Sequence, residues 1–156
     1  MSQHLNRRAL LKQVGASAAA SWVVSGRPAP GQTVTPEANP KLRIGMIGLD
    51  TSHVTIFTKM LNMSEQPDAR FAGCRVVAAF PAGNPQFPLS RDRIEGFTNG
   101  VKALGVKIVS SIEELLPLVD AVMLESVDGS QHLEQVQPVF AAGKPVFIDK
   151  PLAASF

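Results

Sequence analysis

Cysteine is almost missing: Cys74 is the single thiol among 156 residues, so no internal disulfide can form. The three histidines and that cysteine show no zinc-type spacing, and no metal site is expected from the sequence. Charge of one sign is scarce as well. The formal net charge of +2 comes from the front, where residues 1–40 hold Arg7, Arg8, Lys12 and Arg27 against Glu37, leaving 11 basic and 12 acidic side chains over 41–156. Without a cluster of Lys and Arg on that part, nucleic acid is not an expected partner. A long hydrophobic run is also lacking. The stretch from Val14 to Val24 is too short to span a bilayer, which takes about 20 apolar residues, so no stable membrane span is expected after processing. What remains, 45% hydrophobic and 18% charged, is the composition of one ordinary globular domain.

Residues 1–26 read as an address. In "NRRALLKQVGASAAASWVVSG" a basic start at Arg7, Arg8 and Lys12 precedes a weakly apolar run. The adjacent arginines followed by Leu10 and Leu11 resemble the twin-arginine export motif, with Asn6 where Ser or Thr is commoner and Leu10 where Phe is. An amphipathic helix or a general secretory signal is the alternative. The reading predicts an exported protein, periplasmic or associated with the cell envelope. Residues 27–40, with Pro28, Pro30, Pro36 and Pro40 among small polar residues, read as an extended linker, and the fold is expected over 41–156.

From Lys41 onward strand-like and helix-like patterns alternate. Leu42 to Ile47 is a buried-strand run ended by Gly48, and the next helix carries Val54, Phe57 and Leu61 at helical spacing. Arg75 to Phe80 reads as a second strand. A helix with Ile94, Phe97, Val101 and Leu104 on one face follows, stopped by Gly105. Lys107 to Val109 makes a third strand, and Ser111 with Glu114 forms a capping box for a short helix limited by Pro117. "DAVMLES" from Asp120 is the fourth strand. The helix after it is expected to turn Leu133, Val136 and Phe140 inward, to kink at Pro138 and to end at Gly143, before "PVFID" gives a fifth strand. Strand and helix alternating without hairpin signals specify an α/β fold: a doubly wound, Rossmann-like parallel sheet with helices on both faces. Ligands of such sheets sit beyond the carboxyl ends of the strands, which points to the loops at 48–53, 126–132 and 149–151.

"KLRIGMIGLDTSH" and "VDAVMLESVDGSQHLEQVQPVFAAGKPVFIDKPLAAS" together resemble the N-terminal half of the glucose-fructose oxidoreductase, inositol dehydrogenase and rhizopine catabolism (Gfo/Idh/MocA) family. The most specific part is "AAGKPVFIDKPLA", where Lys150 and Pro151 match an EKP triplet and Asp149 replaces its Glu. The resemblance implies an NAD or NADP cofactor and a small-molecule substrate, a sugar, cyclitol or related alcohol. The family pairs this domain with a C-terminal α/β domain that holds the substrate. Since the sequence stops at Phe156, this chain is expected to be the cofactor half, truncated and inactive alone, with an exposed sheet edge open to homo-oligomer formation. By resemblance Lys150 is the catalytic candidate, contacting substrate near the nicotinamide, and Ser126 to Ser130 line the nicotinamide side. His132 matches a histidine on the substrate side, though it can equally cap or cover its helix. Lys150, at the end of a buried strand, is expected to feel burial as a penalty on its charge. Asp149 is its expected partner, and Pro151 fixes the exit. Opposite charges at a solvated strand end are the bland alternative.

The turn at 48–53 departs from the dinucleotide pattern. Gly48 keeps the tight bend, but Asp50 stands where a second glycine lets backbone approach the pyrophosphate, and His53 where a third packs helix on strand. A carboxylate there would repel a phosphate by about 1 kcal/mol in a high effective dielectric. Thr51 and Ser52 can cap the helix, its N-terminal N–H groups still favour an anion, and protonated His53 offsets Asp50. Asp50, Thr51 and Ser52 also read as a plain helix cap without ligand. Strand two ends in Phe80-Pro81, with no acid for the ribose hydroxyls. Asn84 could take that role, and Ser90, Arg91 and Arg93 could meet a 2′-phosphate. A non-catalytic binding or scaffold module that has lost the dinucleotide is therefore the competing reading.

Overall fold

The computed structural model describes residues 40–62 and 71–155. The export-signal and linker expectations fall on residues 1–40, nearly all outside the described residues. Five strands, β1 (Leu42–Ile47), β2 (Cys74–Phe80), β3 (Lys107–Ile108), β4 (Ala121–Leu124) and β5 (Val146–Ile148), form one parallel sheet in the order β3-β2-β1-β4-β5. Four helices connect them: α1 (His53–Asn62), α2 (Pro88–Ala103), α3 (Ile112–Leu115) and α4 (His132–Ala141). The chain goes outward from β1 to β3 and then crosses back to β4, so the order reverses between β1 and β4, and ligand sites of such sheets open there.

Each element follows from local chemistry. β1 stops because Gly48 takes φ 87°, a backbone conformation costly for any residue with a Cβ. In α1 the buried residues are Val54, Thr58 and Leu61, spaced to face one side. Pro88 starts α2, where its missing N–H costs nothing, and the helix ends at Ala103 ahead of Gly105. The α3 cap is half a capping box: the Ser111 hydroxyl accepts the Glu114 N–H at 3.2 Å, but the Glu114 carboxylate accepts from Ser110 N–H at 3.0 Å, one residue earlier than the expected Ser111.

Two apolar clusters flank the sheet. One joins α1 and α2 to β1 and β2 through Met46, Val54, Leu61, Val76 and Val101, and the other joins α3 and α4 to the sheet through Ile47, Leu115, Val122, Leu124 and Val139. The face of α4 differs from the sequence expectation. Val136 points inward, but Leu133 is 69% and Phe140 59% exposed, and the buried positions are His132, Gln135, Val136 and Val139. Polar His132 and Gln135 outcompete two larger apolar side chains because each has a buried hydrogen-bond partner on the β4 loop.

At the amino edge of the sheet Arg43 and Asp120 clamp β1 to β4. The Asp120 N–H donates to the Arg43 carbonyl at 2.7 Å, and the guanidinium returns two bonds to the Asp120 carboxylate, at 3.0 and 2.6 Å. Those bonds hold the Asp120 carboxyl at about 2, below its ordinary range. Among the described residues no helix is long and apolar enough to cross a membrane.

Candidate functional site

All three loops singled out in the sequence converge on the carboxyl rim. Gly48 lies against Ser126: a Cβ on Gly48 would fall 2.7 Å from the Ser126 Cα and closer still to its N and Oγ, so only glycine lets the β1 turn meet the β4 loop. His53, opening α1, reaches Asp149 after β5, with Nδ1 to Oδ2 at 2.6 Å. Asp50 reaches the β4 loop and α2 together. One of its oxygens accepts the Val127 N–H at 3.1 Å and the other the Ser90 hydroxyl at 2.6 Å.

Asp50 is fully buried, which raises its carboxyl above the ordinary value, against the lowering effect of Ser90 and Val127. Two donors within the protein thus meet its carboxylate. Thr51 accepts the His53 N–H at a long 3.4 Å, while Ser52 is exposed and its carbonyl accepts from Thr55 and Ile56. The residues present fit a dinucleotide at this turn in part: Gly48 makes the tight bend, and the first turn of α1 provides N–H groups and a partial positive charge for an anion, while Asp50 fills the place of the glycine that would let backbone approach the pyrophosphate. Beside the end of β2 a cleft of about 620 Å³ is lined by Phe80, Gly83, Arg91 and Glu134 among others.

Several expected contacts are committed elsewhere. Ser90 is buried and donates to Asp50, and Asn84, half-buried, donates to Asp128 across the β2 and β4 loops, so both side chains already have partners within the protein. Arg91 pairs with its neighbour Asp92 at 2.7 Å on the surface. The Ser126 hydroxyl donates to Gln135 at 2.8 Å and is buried. His132 is 2% exposed, with Nε2 2.7 Å from the Ser126 carbonyl and Nδ1 3.2 Å from the Leu152 carbonyl. Both partners are acceptors and a neutral ring donates to one. His132 therefore takes the covering role, tying the β4 loop to the segment after β5.

Lys150 is the clearest departure. β5 ends at Ile148, and the Lys150 side chain is 77% exposed, not buried as the sequence suggested. It stands at the rim with Nζ 3.7 Å from Asp149 Oδ2 and is followed by Pro151 through a cis peptide bond. Burial raises the Asp149 carboxyl, but the Lys150 N–H, the His53 ring and the Lys150 charge outweigh it and hold Asp149 below the ordinary range.

Sequence reasoning passed over Glu125. It directly follows β4, is 1% exposed, and neither carboxylate oxygen has a hydrogen-bond partner. Burial and then the Asp149 charge push its carboxyl up to about 7, with Lys150 pulling the other way. The available signal was an acid ending the apolar run "AVML", where the strand leaves the core.

A parallel sheet in the order 3-2-1-4-5, with a glycine turn opening a helix at the strand reversal, defines a dinucleotide-binding type of α/β domain. Residues 42–156 match the model of the Gfo/Idh/MocA oxidoreductases, described as an oxidoreductase family with an NAD-binding Rossmann fold, and the chain belongs to that family. Inositol 2-dehydrogenase from two strains of Cereibacter sphaeroides is 36% identical over 115 residues, 72% of this chain and 29% of the relative. The chain thus spans under a third of the length of those relatives. Solved structures share the fold. The WlbA dehydrogenase of Bordetella pertussis, in complex with NADH and UDP-GlcNAcA, has a TM-score of 0.51 at 22% identity, covering 74% of this chain and 30% of its own. UDP-N-acetylglucosamine 3-dehydrogenase GnnA of Acidithiobacillus ferrooxidans has 0.51 at 19%, covering 73% and 31%.

Proposed function

We propose that this chain is the NAD(P)-binding half of an exported oxidoreductase acting on a sugar, cyclitol or related alcohol. The observation that carries the reading is the Gly48 turn packed on Ser126 at the strand reversal, from which α1 starts, since helix N-termini favour anions. A bound nicotinamide cofactor supplies the hydride acceptor or donor. The chain's own residues would hold and orient it: Gly48 sets the turn, the α1 N-terminus would hold the pyrophosphate, and Asp149 is fixed at the rim by His53. Lys150, exposed and charged, reaches over that rim to contact a substrate hydroxyl. The sugar and cyclitol dehydrogenases among the relatives support the substrate class.

Titrating NADH and NADPH into the full chain, followed by nicotinamide fluorescence, is expected to give saturable enhancement with at least one of them. Silence from both would remove this reading. It would favour the second one, a binding module without dinucleotide, which draws support from Asp50 spanning the β1 turn, α2 and the β4 loop. Export rests on the Arg7-Arg8 pair and the short apolar run behind it. Fused to a reporter, residues 1–40 are expected to direct export that is lost when both arginines become lysine; export unchanged by that pair of substitutions would remove the twin-arginine assignment.

A further inference from the structure

Glu125 has no part in the function proposed above. It directly follows β4, and with His53, which opens α1, and Asp149, which follows β5, it places one ligand atom so that all three lie within 4.8 Å of one another. Glu125 is buried, with both oxygens unpartnered, and faces this cluster. A buried carboxylate left without a donor costs stability, and native proteins keep such groups for a reason. No donor among the described residues reaches either oxygen, and the Lys150 ammonium is exposed, 3.7 Å from Asp149.

We propose that His53, Glu125 and Asp149 form a binding site for a divalent transition-metal cation. One imidazole and two carboxylates suit Mn²⁺, Fe²⁺ or Zn²⁺ better than Ca²⁺, which prefers an all-oxygen shell. Metal–ligand bonds of about 2.0–2.2 Å set neighbouring ligand atoms roughly 3–4.5 Å apart, so a cluster within 4.8 Å closes on an ion by side-chain adjustment alone. The ion would give Glu125 its missing partner and separate His53 Nδ1 from Asp149 Oδ2, now 2.6 Å apart. Three protein ligands leave positions for water or a hydroxyl oxygen. They would open to the rim, since the His53 and Asp149 side chains are 31% and 12% exposed. At the turn, His53 would hold the cation instead of packing as the third glycine does.

Because His53 opens the helix whose first turn would seat the pyrophosphate, the test of the metal site contains no dinucleotide. The full chain, stripped with EDTA and exchanged into metal-free buffer, is titrated calorimetrically with MnCl₂ and with ZnCl₂. One equivalent of at least one of these ions is expected to bind. Glu125→Gln, which keeps the shape and folds by circular dichroism, is expected to weaken binding about tenfold or more, as is Asp149→Asn. Absence of saturable binding of either ion, or wild-type affinity in the Glu125→Gln protein, would overturn the site. Either outcome would leave the NADH and NADPH titrations unaffected.

Discussion

Replacing Gly48 by alanine is expected to destabilise the protein by about 3 kcal/mol or more and to abolish any nicotinamide signal. Two costs add. Gly48 sits at φ 87°, which alanine adopts at about 1 kcal/mol, and the new methyl group lands on the backbone of Ser126, with the Cα at 2.7 Å. A flexible side chain could swing away; the backbone of the β4 loop cannot, because the Glu125 N–H before it is bonded to the Ile47 carbonyl at 2.8 Å. Relief requires the β1 turn and the β4 loop to separate, which opens the anion seat. Gly105→Ala is the control: its φ of 84° is similar, but nothing lies within 4 Å of the added Cβ. That variant is expected to lose only about 1 kcal/mol. Urea unfolding of both decides the matter, and equal losses would show that the contact with Ser126 is not what demands glycine.

Asp50→Ala is expected to cost about 2–3 kcal/mol, since it strips the acceptor from the buried Val127 N–H and the Ser90 hydroxyl together. Asp50→Asn keeps an acceptor for Val127 and should stay within about 1 kcal/mol of the parent at neutral pH. The two differ from the parent in pH dependence. The Asp50 carboxyl is raised in the fold above its ordinary 3.8, so the folded state favours the protonated acid. Its relative contribution is fully present below that ordinary value and is lost as pH rises through the folded one. The Asn variant lacks this slope, so its stability relative to the parent is expected to improve between pH 4 and pH 7. A constant difference over that range would mean that Asp50 is not raised. Removing the charge near the anion seat should also tighten NADH binding several-fold, from the loss of about 1 kcal/mol of repulsion.

What the sequence revealed and what it hid divide along a physical line. The ends of β1 and α2 were legible because Gly48 and Gly105 are local stop signals, and the parallel sheet followed from alternation alone. The rim followed in turn, because parallel strands all end on one side. Partner choice across the rim was not legible. The sequence left His132 open between facing a substrate and covering its helix, because the carbonyls of Ser126 and Leu152 that meet its ring lie 6 and 20 positions away. Leu133 and Phe140 share the helical spacing of a buried stripe, and hydrophobicity alone could not show that Gln135 had a partner in Ser126. Lys150 was placed at the end of a buried strand, with a solvated strand end as the alternative; β5 ends at Ile148, one residue before the expected end, and the Lys150 side chain is 77% exposed. The cluster of His53, Glu125 and Asp149 draws on three separate loops, so no short spacing motif could announce it.

The clamp between Arg43 and Asp120 joins residues 77 apart, and it binds the first strand of the chain to the fourth. During synthesis β1 can pair with β2 early but stays bare along its other edge until residues 121–124 leave the ribosome. Nascent chains arrested before that point should remain protease-sensitive and hold on to chaperones, and protection should arrive abruptly once β4 is free to dock.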